Sequence, residues 1–184
     1  MKELRGESLR ELSDKAAEIE ARRLLTIIIA RRHQMNRWLG IDAFEHIVYD
    51  ENSGLAMGML ALFRYARGEN VPAPLVQSFL DELLALMFTG LASGVMALPP
   101  FNRMQDRPWA LAWRVAELRL AIEQKIHIES KQFAHLLGVS PIVVREGLQQ
   151  RGISDTSHVP ADVLQEWFQS IVDETATTQS DNVE

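Results

Sequence analysis

The five histidines of this 184-residue chain, His33, His46, His127, His135 and His158, are the side chains best suited to proton transfer or metal binding, and they stand singly. A zinc site built on one helix takes two histidines four residues apart, and no pair here has that spacing. His46 lies beside Glu45 with Tyr49 and Asp50 close behind, a cluster that reads better as a helix end facing water than as an acid–base pair. There is no cysteine, which excludes thiolate nucleophiles, thiolate-bound zinc and a disulfide scaffold. No glycine-rich loop follows a strand and no G-x-S-x-G elbow occurs. The sequence therefore predicts no enzyme: no catalytic residue, no metal site and no cofactor.

A different chemistry is written in residues 131–150, KQFAHLLGVSPIVVREGLQQ. Ser130 can cap a short helix that turns Phe133, Ala134 and Leu137 inward. Gly138 stands where the chain must reverse, and glycine tolerates the left-handed conformation such a turn uses. Val139 anchors the turn. Ser140 then caps a second helix, and Pro141 suits its first position, where no amide donor is needed. Val144 and Leu148 face inward on that helix, and small Ala134 and Gly147 are expected to let the two helices cross closely.

Those residues resemble the helix-turn-helix of phage repressor and Cro-like regulators. The resemblance covers only Lys131 to Gln150 and rests on Ala134, Leu137, Gly138, Val139, Val144 and Leu148, with Leu137-Gly138-Val139-Ser140 its most recognisable part. It implies that the start of the second helix enters the major groove of double-stranded DNA. The outward residues Ser140, Ile142, Arg145, Glu146 and Gln149 would then meet base edges. Arg145 can pair two donors with a guanine, Gln149 can do the same with an adenine, and Ile142 can pack on a thymine methyl. Lys131, Gln132, Gln150, Arg151 and the amide-rich helix start at Ser140 are placed to reach phosphates. Gly147 departs from the larger residue usual in the motif, at a cost in helix propensity of about 1 kcal/mol.

Charge argues on the other side. The chain carries a net −6, and Ile126 to Ile153 holds Lys131, Arg145 and Arg151 against Glu129 and Glu146. Phosphate contacts dominate affinity for DNA, and few are evident. The alternative is a helical protein–protein adaptor, or an antitoxin-like protein, in which the motif only packs.

The positioning elements all read as helix. Leu9, Leu12, Ala16 and Ile19 recur three and four apart and predict one face of a long helix that runs to Leu39 and stops at Gly40. That seam motivates a homodimer, or a protein partner, held through the N-terminal helices. Arg22, Arg23, Arg31, Arg32 and Arg37 lie in a stretch without acids. A dimer could bring Arg22, Arg23, Arg31 and Arg32 to DNA, but they read better as solvated ends of the apolar block Leu24–Ile29, paired with Glu18 and Glu20 or with acids in another segment. A short helix is expected over Ile41–Asp50, then one capped by Asn52 or Ser53 and ended by Gly68. Pro72 and Pro74 open a helix with the stripe Leu75, Phe79, Leu83, Leu84 and Met87. The uncharged run Leu83–Asn102 is broken by Gly90, Gly94 and Pro99-Pro100, so a core helix fits it better than a membrane span.

Asp106 is expected to cap a helix holding Trp109, Leu111, Ala112, Val115, Leu118 and Ile122, and Val163, Leu164, Trp167, Phe168 and Ile171 face the core of a last one. Ser154 to Glu184 carries no lysine or arginine and ends in a stretch too poor in apolar residues to order itself. The expectation is an all-α protein with a helical region 1–102, a helix-turn-helix region 103–174 and an acidic tail 175–184. It is expected to be cytoplasmic, to have no membrane segment, and to bind DNA as a dimeric regulator of transcription or of plasmid or phage maintenance.

Overall fold

Ser13 begins the first helix: its hydroxyl accepts the Ala16 amide at 3.1 Å and its carbonyl accepts that of Ala17 at 3.0 Å. The computed structural model describes residues 9, 11–38, 40, 47–92, 107–137 and 139–169. Helix α1 spans Asp14–Trp38 and so starts five residues later than the leucine spacing predicts. Leu9 and Leu12 precede it, joined by the Leu12 amide to the Leu9 carbonyl at 3.1 Å, and are buried at 2% and 0% exposure, whereas Ile19 is 52% exposed. The inward face is instead Ala17, Ala21 and Leu24, with buried Glu20 paired to Arg23 at 3.2 Å. The seam that motivated a dimer is thus not one face, and its two leucines lie in the chain's own core. Gly40, at φ +69°, follows the helix as expected.

Residues 47–50 form no helix, and the rest of the one expected over Ile41–Asp50 lies outside the described residues. Helix α2, Gly54–Ala66, is capped by Ser53, which accepts the Ala56 amide at 3.3 Å. Helix α3, Ala73–Ala92, follows Pro72 and turns Val76, Phe79, Leu80 and Leu83 inward. Leu75 and Leu84 are exposed, so the expected stripe is rotated; Met87's side chain, like the Pro99–Asn102 boundary, lies outside the described residues.

In helix α4, Pro108–Glu123, Arg107 takes the N-cap position without a side-chain hydrogen bond and Pro108 stands in the first turn, while Asp106, the expected cap, lies outside the described residues. It is buried on nearly every side, Arg114 included, because it stands between two cores. Trp109, Trp113 and Val115 join α1, α2 and α3 in the first core; Leu118 and Ala121 belong to the second. The α4 chain ends through Lys125 at φ +53°, which lets the Ile126 amide reach the Ala121 carbonyl at 2.9 Å.

Two short strands are added to the helices, and the structure stays consistent with the all-α expectation. Strands β1, Ile128–Glu129, and β2, His158–Val159, pair antiparallel with Ile128 opposite Val159. Between them lie α5, Ser130–Leu137, and α6, Pro141–Gln150, and helix α7 over 161–169 follows. Phe133 of α5 meets Trp167 of α7 edge-on at 5.4 Å, so Trp167 is a packing residue of the second core. The architecture is therefore mostly helical, and no helix among the described residues is long and apolar enough to cross a membrane.

Candidate nucleic-acid interface

Helix α6 is ten residues long, about 15 Å, and a helix so short is marginal by itself in water. Its stability must come from what it packs on and from its ends. Val144 and Leu148, four apart, are its two buried residues, at 7% and 3% exposure. Burying side chains of this size contributes about 1.5–3 kcal/mol each. Ser140 accepts the Ile142 amide at 3.3 Å, a cap of the kind that contributes about 1 kcal/mol. At the far end Gly152, at φ +77°, lets the Ile153 amide close on the Leu148 carbonyl at 3.0 Å.

Helix α5 is held from behind. The buried Ser130 donates its amide to the Ser157 carbonyl at 2.8 Å and its hydroxyl to the Thr156 carbonyl at 2.5 Å. The expectation that this hydroxyl caps α5 is therefore corrected: it ties the segment ahead of β2 to the start of the helix. At the other end the Val139 amide reaches the Ala134 carbonyl at 3.0 Å, a bond that closes a helix C-terminus; Gly138 itself lies outside the described residues. Phe133, Ala134 and Leu137 face inward as expected, joined by Leu136. Gly147 does not mediate a close helix crossing, because a Cβ placed there meets nothing within 4 Å.

With Val144 and Leu148 inward, the opposite face carries Ile142, Arg145, Glu146 and Gln149, at helical intervals of three and four. All four are exposed, as are Ser140 and Gln150 at the two ends of α6 and Lys131 and Gln132 on the first turn of α5. Lys131 and Arg145 have no ion pair among the described residues, so they are available to an anionic partner. Arg151, half exposed, bonds Glu166 of α7 at 2.5 Å, a surface ion pair between that helix and the end of α6. Asp155 accepts the Ser157 hydroxyl, and that bond chiefly holds its carboxyl below the usual range, fixing a negative charge in the segment between α6 and β2.

Two features of the face escape the sequence pattern. Val143 is 55% exposed beside Ile142 at 63%, giving the start of α6 an apolar surface. The signal is the run Pro141-Ile142-Val143-Val144, of which a helix can turn only part inward. The β1–β2 pair is foreshadowed by the alternation Ile126-His127-Ile128-Glu129. Of the N-terminal arginines, Arg22 bonds Glu18 at 2.8 Å and lies over the Tyr49 ring, and Arg23 is paired with Glu20.

No protein-family model, no curated protein and no solved structure matches the chain.

Proposed function

We propose that the chain is a sequence-selective DNA-binding regulator that presents α6 to the major groove, with α5 and α6 acting as a helix-turn-helix. The observation that carries the reading is the division of α6 into two faces. Its apolar residues anchor it, while Ile142, Arg145, Glu146 and Gln149 stand outward with no packing role. Arg145 would pair with guanine, Gln149 with adenine and Ile142 with a thymine methyl. Glu146 would accept from a cytosine N4 amine. Lys131, Gln132, Gln150 and the capped helix start would hold phosphate. Lys131 and Arg145 alone are few cations for the face around α6, so the reading includes a homodimer, which doubles the contacts and makes the site two-fold symmetric.

A second reading has its own observation. Pro141, Ile142 and Val143 together are exposed and apolar, which suits a protein surface as well as a groove. Selection of the purified protein on random-sequence duplex DNA, at two salt concentrations, separates them. An enriched palindromic site whose affinity falls steeply with salt is the expected result. No enrichment, with no binding at low salt, overturns the DNA reading in favour of a protein partner.

A further inference from the structure

Between α2 and α3 lies a cavity of about 460 Å³, within the range that takes a small organic molecule. It forms where the two helices approach unusually closely: a Cβ added at Gly58 would fall 2.1 Å from the Phe79 ring. Its walls are almost wholly apolar, and Met57 and Leu75 among them are 59% and 52% exposed. Two charged side chains line it, Arg64 and Glu82. Arg64 is committed elsewhere, bonding Asp14 at 2.6 Å with Glu69 at 3.9 Å. Glu82 has no ion pair among the described residues. The cavity therefore joins an apolar wall to one uncompensated negative charge.

We propose that this cavity binds a small hydrophobic cation, an amine or quaternary ammonium on an apolar body, with Glu82 as its counter-charge. Burial of the body against Met57, Leu60, Val71 and Leu75 drives association, and the Glu82 carboxylate selects the charge. An anion of the same shape is repelled by Glu82, and Arg64 cannot rescue it while bonded to Asp14. The bounded volume favours a single compact body over the row of anchors that a partner helix would insert.

The test uses three molecules with one body: 4-(1-naphthyl)butylamine, the corresponding alcohol and the corresponding carboxylate. Titration of the full chain, followed by calorimetry and by the Met57 methyl resonance, should rank the amine at least about fivefold tighter than the alcohol, and the carboxylate weakest. Glu82→Gln, an exposed substitution, should bring the amine to the level of the alcohol. Ser78→Trp, placed on an exposed lining residue, should weaken all three. Equal affinities for the three molecules, an amine preference that survives Glu82→Gln, or no response of Met57 overturns the proposal. The assay contains no DNA, so its outcome is independent of the reading of α6.

Discussion

The two cores that share α4 treat their surface charges in opposite ways. Around the first, Arg64, Arg67 and Arg119 are committed to the chain itself. Arg64 and Arg67 both bond Asp14, Arg67 also donates to the Leu12 carbonyl at 2.8 Å, and Arg119 bonds Glu123 while lying over the Tyr65 ring. These contacts staple the start of α1 and the middle of α4 to the end of α2. Around the second core one such staple appears, Arg151 to Glu166, and it sits at the rear end of α6. Lys131 and Arg145 stay unpaired among the described residues, and α6 keeps its outward face clear. The first region uses polar groups to hold its shape; the second uses few apolar residues to hold a helix whose polar groups are offered outward.

The comparison breaks most readily at the anchor of α6. Leu148→Ala should destabilise the protein by about 2–5 kcal/mol, as buried leucine truncations do, and denaturant unfolding will read it. If the loss is below about 1 kcal/mol, α6 is not held by its apolar face. In the first core, Gly58→Ala forces the Phe79 ring aside and should cost about 1–3 kcal/mol, the usual effect of overpacking. Gly147→Ala sharpens the contrast from the other side. A methyl there meets no neighbour, so the variant should be more stable by about 1 kcal/mol.

Asp14→Asn gives a smaller effect with a distinct pH signature. The hydrogen bond from Arg64 first, then that from Arg67, holds the Asp14 carboxyl below its usual range against the opposing effect of burial. A depressed folded-state pKa contributes stability that is full above the unfolded value, about 3.9, and lost as pH falls through the folded one. The native protein should therefore lose more stability than Asp14→Asn on acidification below about pH 4. Because Asp14 is exposed, the difference at neutral pH should be at most about 1 kcal/mol.

Local chemistry was the legible part of the sequence. Ser53 and Ser140 cap the helices they precede, and Val144 and Leu148 face the core as their spacing requires. The readings that failed depended on neighbours far along the chain. Leu9 and Leu12 fit a helical seam until Ser13 starts the helix after them. On α4 the expected apolar residues Trp109, Leu111, Ala112, Val115 and Leu118 are buried, but so are most of their neighbours, because partners surround the helix. Of the two-residue strands only the first has an alternation ahead of it, Ile126-His127-Ile128-Glu129, and both exist because each finds the other across α5 and α6. Of the candidate site, the outward face of α6 was legible from helical period alone. The pairing of Arg151 with Glu166 was not, because it depends on where α7 docks.

The claim at the centre of this account is that Arg145 and Gln149 read bases and do not support the fold. Arg145→Ala combined with Gln149→Ala tests it on the site enriched by selection, with binding and thermal unfolding measured on the same preparation. The account predicts affinity for that site reduced at least about tenfold, with stability within about 0.5 kcal/mol of the native protein, as for other exposed substitutions. Unchanged affinity, or loss of binding that merely follows unfolding, would contradict it.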